Sequence, residues 1–173
     1  MLKYKMQTLI TDTCALIYLY HADLLRYIER MYQLITIPEV LQELSVKATK
    51  NEQKVYYQIL EIVTVKNTKQ RSFSKKLSET DKKLLQLYYE NEHVHGILTE
   101  DGGILQYCNA NSIVHYCCLS LITQFVRQNI LSIAKAEEHI HYLIHIGRYA
   151  PWVVHAQEMD FEKIKKNREE IIF

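Results

Sequence analysis

The feature that most constrains the fold is a regular alternation between short apolar segments and longer helical patterns. Five almost continuously apolar, β-branched segments occur, at positions 8–11, 34–37, 62–65, 96–99 and 112–115. Strands that are buried on both faces have this character. Strands that alternate with helices along a chain form a parallel sheet with helices on both faces. We therefore predict a three-layer α/β/α fold with a short five-stranded parallel sheet.

The helical patterns between these segments have recognisable starts and stops. Positions 14–32 indicate two helices with a break near 21–23, and Pro38 stands where the next helix begins. From position 116 onward the pattern is helical, with one stop at Gly147 and another at Pro151. The chain contains only 4 glycines and 2 prolines. Because so few residues interrupt helices, we expect most of the chain to be helical.

Composition limits the class of protein. The 173 residues are 48% hydrophobic, which suits one domain with a core of its own plus a helical appendage. The formal net charge of +1 gives no global attraction to nucleic acid, so such binding requires a local basic patch. Four cysteines without a CxxC pair indicate reduced thiols in a cytoplasmic protein. Charged residues interrupt every long apolar stretch, so we expect no transmembrane helix and no signal peptide.

Carboxylates follow several of the predicted strands, at the edge where parallel sheets bind their ligands. Asp12 comes directly after the first segment, and Glu100 and Asp101 come directly after the fourth. Glu43 lies in the helix after the second segment, and Asp81 lies in the first turn of the helix before the fourth. Carboxylates that meet raise one another's pKa unless a cation neutralises them. Because oxygen ligands select Mg²⁺ or Mn²⁺ over zinc, the pattern predicts such a site.

Each of these acids also has a purely structural explanation. Asp12 is placed to cap the helix that follows it, and Ser78 with Asp81 fits a capping box. Glu100 and Asp101, followed by glycine, fit a plain turn. Capping accounts for one acid at one helix start. It does not account for the recurrence of acids around one predicted edge of the sheet.

Four stretches carry these acids: LITDTCALIYL, IPEVLQEL, LSETDKKLLQL and ILTEDGGILQYC. In order and spacing they resemble the acidic motifs of PIN-domain ribonucleases, over about residues 5–120. The resemblance aligns Asp12, Glu43, Asp81 and Asp101 with the acids of the family. Glu100 falls where many relatives also carry an acid. The chain departs from the family at Gly102 and Gly103, where relatives often place Asp or Arg, and at Cys14, where Ser or Asn is common.

The resemblance implies a PIN-like fold and Mg²⁺- or Mn²⁺-dependent cleavage of RNA. Many relatives are the toxins of toxin–antitoxin pairs, and many form homodimers, so an antitoxin and a second copy of the chain are expected partners. Residues 1–125 would form the nuclease domain. Residues 126–173 would form a C-terminal helical extension that packs on this domain or on a partner.

Roles follow from the same resemblance. Asp12, Asp81 and Asp101 would be metal ligands, directly or through water, and Glu100 would be a further one. Glu43 would bind a second ion or polarise the attacking water. Thr13 and Thr99 are candidates to orient these carboxylates by hydrogen bonds.

Substrate contacts must come from local basic residues. The candidates are Arg71, Lys75, Lys76, Lys82, Lys83, Arg148 and Tyr149. The basic segment 66–76 is either a solvated connector or a binding loop. His141 and His145 have helical spacing but lack supporting ligands, so they indicate a helix surface rather than a zinc site.

Two other functions compete with the nuclease. One is a non-catalytic PIN-like scaffold that binds RNA or protein. The other is an α/β domain that binds a small molecule or phosphate, which ranks last because no GxGxxG pattern and no Lys-Ser/Thr pair follows a strand.

Overall fold

The computed structural model describes residues 6–66 and 71–170, with side chains described through residue 167. Within these ranges, five parallel strands form one sheet with helices on both sides. The strands are β1 (Gln7–Thr11), β2 (Tyr32–Thr36), β3 (Leu60–Ile62), β4 (Val94–Leu98) and β5 (His115–Tyr116). Their spatial order is β3-β2-β1-β4-β5. The predicted α/β/α fold with a five-stranded parallel sheet is confirmed.

The three central strands form the buried part of the sheet. β1 pairs with β2 through Leu9 opposite Leu34, and with β4 through Ile10 opposite Ile97. All four of these side chains are almost completely buried. Gly96 of β4 lets β5 approach, because an added Cβ would lie 2.4 Å from the carbonyl oxygen of Val114.

The two edge strands differ from the prediction. The sequence predicts a strand at 62–65, whereas β3 ends at Ile62. It ends there because the neighbouring strand β2 ends at Thr36, the partner of Ile62. β5 begins only at His115, because Ser112 adopts a left-handed conformation (φ 54°) after the preceding helix. Glu61 and Ile62 are exposed, and both residues of β5 are half-buried. The prediction that all five strands are buried on both faces is therefore wrong for the edges, which have only one neighbouring strand.

Six helices accompany the sheet in the described part of the first unit. They are α1 (Thr13–His21), α2 (Leu25–Ile28), α3 (Pro38–Lys47), α4 (Lys50–Ile59), α5 (Glu79–Glu90) and α6 (Gly102–Ala110). Most of these helices begin at a residue that favours a helix start. Pro38 occupies the first turn of α3, and Thr49 with Glu52 forms a capping box at α4. The predicted break after α1 is present, with Asp23 in a left-handed conformation (φ 53°).

A second unit follows, because the chain divides between Cys117 and Cys118. It contains α7 (Cys118–Arg127), α8 (Ile133–Ile146) and α9 (Pro151–Glu170), with α7 contacting both of the others. Gly147 ends α8 and Pro151 begins α9, as predicted. The predicted boundary at residues 125/126 falls inside α7, so the assignment of 126–173 as an extension stays a prediction. No helix in the described ranges combines the length and apolar character needed to cross a membrane.

Candidate active site

The candidate site lies where β1 and β4 end side by side. The backbone amide of Asp12, the first residue after β1, donates a 3.3 Å hydrogen bond to the carbonyl oxygen of Leu98, the last residue of β4. The chain moves from β1 to β2 on one side and reaches β4 on the other, so this is the topological switch point of the sheet. Ligands of open α/β sheets bind at this point.

Asp12 is the most deeply buried carboxylate of the site, with 7% of its surface exposed. Its Oδ1 accepts a 2.7 Å hydrogen bond from the Ala15 amide and so caps α1. Its Oδ2 accepts the Thr99 hydroxyl and, at 3.3 Å, the Glu100 amide. Burial raises the pKa of Asp12 to about 6, although these hydrogen bonds oppose the shift. A carboxylate has about four acceptor sites, so one remains, on Oδ1.

Asp101 lies close to Asp12 because Thr99 contacts both. The Thr99 hydroxyl accepts a 3.0 Å hydrogen bond from the Asp101 amide while it donates to Asp12. Asp101 Oδ1 caps α6 by accepting from the Ile104 amide at 2.9 Å. The negative charge of Asp101 contributes to the raised pKa of Asp12. Thr99, which is fully buried, thus fixes two carboxylates at one strand end.

Glu43 reaches the site from α3. Its Oε2 accepts a 2.7 Å hydrogen bond from the buried Thr13 hydroxyl at the start of α1. The ammonium group of Lys47, one turn further along α3, lies 3.5 Å from the same oxygen. The contacts predicted for Thr13 and Thr99 with site carboxylates are therefore present.

Asp81 reaches the site from the first turn of α5. Its Oδ2 accepts the Ser78 amide at 3.0 Å and the Ser78 hydroxyl at 2.6 Å, and the Ser78 oxygen in turn accepts from the Asp81 amide. This is the predicted capping box. The Asp81 carboxylate thus caps α5, which is the structural explanation considered for it. It also lines the same pocket as the other acids.

The four carboxylates line one open pocket of about 280 Å³. They come from four places in the sequence: the ends of β1 and β4 and the helices α3 and α5. The lining residues are Asp12, Thr13, Cys14, Val40, Glu43, Lys47, Ser78, Thr80, Asp81, Leu84 and Asp101. Among the described residues, four carboxylates therefore share this lining with a single basic residue, Lys47.

Glu100 differs from the other predicted ligands. It contributes its backbone amide to Asp12, and it does not belong to the residues that line the pocket in the described part of the chain. Its assignment as a metal ligand stays a prediction.

The predicted substrate residues fall into three groups. Lys82 pairs with Glu79 at 2.6 Å, and Lys83 pairs with Glu39. Arg71, Lys75 and Lys76 are exposed on the segment before α5, whereas positions 67–70 of the predicted basic segment lie outside the described residues. Arg148 and Tyr149 belong to the second unit, between α8 and α9.

Sequence reasoning missed Lys47 as a member of the site. A signal for it exists, because Glu43 and Lys47 have the i, i+4 spacing that brings side chains together on a helix. Cys14 was noted only as a departure from the family. It lines the pocket, where burial and the neighbouring acids raise the pKa of its thiol.

The donor set suits a hard cation. Asp81 Oδ1, Asp101 Oδ2 and Glu43 Oε1 accept no hydrogen bond from the described residues. Among the side chains of residues 6–66 and 71–167, no three His, Cys, Asp or Glu groups already meet closely enough to hold one ion. Mg²⁺ commonly keeps several waters and takes only one or two carboxylates directly, so these oxygens fit such an ion with water completing its shell.

The fold and the pocket define an α/β protein with an acidic site at the switch point of its sheet. A family model for the PIN domain matches residues 8–160. The chain belongs to the PIN-domain family, whose members are generally nucleases. The predicted family is confirmed, and the match extends beyond the four motifs through α7 and α8 into α9. No curated protein and no solved structure matches the chain.

Proposed function

We propose that the protein is a metal-dependent endoribonuclease that hydrolyses RNA phosphodiester bonds. One observation carries this proposal: Asp12, Glu43, Asp81 and Asp101, remote in sequence, line one pocket in which, among the described residues, Lys47 alone offsets their charge. Such a pocket attracts a divalent cation, because carboxylates that face one another without a cation repel.

Mg²⁺ or Mn²⁺ would be held by Asp12, Asp81 and Asp101, with Glu43 as a further ligand. When bound, such an ion lowers the pKa of water and stabilises the charge that develops on a phosphodiester. Asp12 must lose its proton to bind a cation. Because burial places the pKa of Asp12 at about 6, this proton is lost as the pH rises through that value.

The remaining groups keep the carboxylates in place. Thr99 holds Asp12 and Asp101 together through one hydroxyl. Thr13 holds Oε2 of Glu43, which leaves Oε1 either to bind a second ion or, where it binds none, to accept a proton from the attacking water. General-base catalysis of this kind requires a carboxylate within hydrogen-bond reach of that water.

The biological role that we propose is that of the toxin in a toxin–antitoxin pair, acting in the cytoplasm. This part rests on the resemblance of the motifs to toxin-type PIN-domain ribonucleases. All four cysteines of the chain are thiols rather than disulfides, as a cytoplasmic protein requires. RNA would be the substrate, an antitoxin the protein partner, and a homodimer the working form.

One observation favours the alternative, a non-catalytic scaffold. Asp12, Asp81 and Asp101 all cap helices through hydrogen bonds to backbone amides. Helix capping typically contributes about 1 kcal/mol, so stability alone gives each aspartate a reason to be present. A scaffold would keep these caps and would have no use for a cation.

The decisive test compares Asp12→Asn with Asp160→Asn, which removes an exposed carboxylate from α9. We expect the unaltered protein to cut single-stranded RNA with Mg²⁺ or Mn²⁺ and not with EDTA. Asp12→Asn should lose at least roughly 100-fold in rate, the scale of losing one transition-state contact. Asp160→Asn should cut normally. Equal cutting by both variants, or undiminished cutting in EDTA, would exclude the proposed mechanism.

A further inference from the structure

A second cluster on the first unit combines aromatic rings with an arginine. The guanidinium group of Arg71 lies 3.7 Å from the centroid of the Tyr89 ring. The Tyr89 hydroxyl is 3.1 Å from that of Tyr107, and the Phe73 ring packs edge-on against Tyr107 with centroids 5.7 Å apart. These four residues, from α5, α6 and the segment before α5, are called the Arg71 platform below.

The platform lies one helical turn from the wall of the acidic pocket. Leu77 packs against Gly103 of α6, where an added Cβ would lie 3.0 Å from Leu77 and 3.0 Å from Asp101 Oδ1. Phe73 packs against Tyr107, which is four residues further along α6 and on the same face. The segment 73–77 therefore runs along α6 toward the pocket, over about one turn of helix, or roughly 5.4 Å.

Three basic side chains on this segment have no carboxylate partner among the described residues. Arg71, Lys75 and Lys76 are exposed, and none of them forms an ion pair with a carboxylate of the described residues. Lys82 and Lys83, a few residues later, are both paired. An acidic pocket repels the phosphates of RNA, so a strand that enters it needs unpaired cations beside it.

We propose that the Arg71 platform binds unpaired nucleotides of the RNA strand that is cut in the acidic pocket. Bases would stack on the accessible faces of Phe73 and Arg71, and phosphates would lie near Lys75 and Lys76. Aromatic rings combined with a basic track are the general means by which proteins hold single strands without reading sequence. The proposal rests on the proposed nuclease function and adds to it a binding subsite outside the acidic pocket for the unpaired part of the strand.

A structural role for the cluster, in which the rings only attach the segment to α6, makes a different prediction. Such a role would account for the ring contacts but not for three exposed cations that have no carboxylate partner in the described part of the chain. It would also affect all substrates alike. The length of the RNA separates the two roles, because only an oligonucleotide long enough to leave the pocket can reach the platform.

The test measures binding by fluorescence anisotropy with Mn²⁺ present, in the Asp12→Asn background so that RNA is not cut. A single-stranded oligonucleotide of about 12 nucleotides, within the range that such surfaces hold, is compared with a labelled mononucleotide, which is too short to occupy the pocket and the platform together. Arg71→Gln and Phe73→Leu are the test variants. Arg26→Gln is the matched control, because Arg26 also stacks on a tyrosine, Tyr27, with 4.8 Å to the ring centroid.

We expect each test variant to weaken binding of the long oligonucleotide roughly 10-fold, the scale of one lost stacking contact, and to leave binding of the mononucleotide unchanged. A further variant, Lys75→Gln, should reduce the salt dependence of binding by about 0.7, the value for one phosphate contact on a single strand. Arg26→Gln should change neither quantity.

Equal losses on both lengths, no loss on either, or equally tight binding of a base-paired duplex would overturn the proposal. These outcomes differ from failure of the proposed function. If the unaltered protein cuts RNA and the length preference survives in both variants, only the platform is wrong. If the unaltered protein does not cut RNA with either metal ion, the nuclease proposal itself fails.

Discussion

The acidic pocket and the charged surface of the second unit differ in how their carboxylates are paired with basic side chains. In the second unit Lys165 pairs with Glu137 and, at 2.9 Å, with Glu162. Lys135 pairs with Glu138, and its hydrogen bond lowers the pKa of that carboxyl group. In the pocket, as far as the described residues show, four carboxylates face one lysine, and burial raises the pKa of Asp12. Carboxylates are thus paired with lysines in the second unit, whereas they outnumber the basic side chains in the described lining of the pocket.

This difference indicates that the paired carboxylates of the second unit contribute to folding, whereas the carboxylates of the pocket are suited to binding a cation. Exposed ion pairs contribute little to stability and need nothing from outside the chain. A buried carboxylate with a raised pKa destabilises the folded state when it is ionised. A bound cation offsets this cost, because it stabilises the ionised form. The pocket is therefore the region of the described chain where an added cation should matter most.

The largest expected effect is on thermal unfolding when Mn²⁺ is added. A single site that binds only the folded protein gains about 2.7 kcal/mol when the free ion reaches about 100 times its Kd. We expect the gain at pH 8, a much smaller gain at pH 5, where Asp12 keeps its proton, and little gain in Asp12→Asn. A Glu137→Gln protein should gain as much as the unaltered one. Absence of any gain would favour the scaffold.

Asp12→Asn should itself stabilise the metal-free protein at high pH. The folded pKa of about 6 exceeds the ordinary value of 3.8, so the folded state holds the proton more tightly. The unaltered protein therefore loses stability as the pH rises from about 4 to about 6, by up to about 3 kcal/mol. The asparagine avoids this loss but accepts one hydrogen bond fewer, which costs about 1 kcal/mol.

Urea unfolding with EDTA should accordingly show a net advantage of about 2 kcal/mol for Asp12→Asn at pH 8. The advantage should disappear near pH 4, where both side chains are neutral. An unchanged or reduced stability at pH 8 would mean that Asp12 is not destabilised by burial.

The smallest effect should come from the second unit. Glu137→Gln removes one of the two partners of Lys165, whose side chain keeps Glu162 beside it. Because both groups are partly exposed, we expect less than about 1 kcal/mol in urea unfolding and no change in RNA cleavage or in the effect of Mn²⁺. A loss above about 2 kcal/mol would show that this charged surface is more strongly coupled than exposed pairs are.

Much of the fold could be predicted because strand and helix signals are local. The apolar runs identified the central strands β1, β2 and β4, and Pro38 and Gly147 marked helix ends through their own backbone preferences. The predictions for the edge strands β3 and β5 were less accurate. The run at 62–65 is as β-branched as any strand, yet β3 ends at Ile62 because the neighbouring strand ends there.

The candidate site shows the same division. Asp12, Glu43, Asp81 and Asp101 were identified from the positions of acids after strands and from the resemblance to PIN-domain motifs, and the structure brings all four to one pocket. Lys47 was missed because its i, i+4 spacing from Glu43 indicates only that the two side chains meet, and not that Lys47 lines the pocket. The contact of Phe73 with Tyr107 was also beyond prediction, since 34 positions of sequence separate them.

The sequence by itself determined the alternation of strands and helices, the family, and which acids stand at the ends of strands and the starts of helices. Tertiary structure decided which of these acids meet, how deeply Asp12 is buried, and which cations stay unpaired. The physical reason is one of range. Hydrogen-bond caps and apolar periodicity act over a few residues, whereas a pKa or an unpaired charge depends on every group that folding brings within several ångströms.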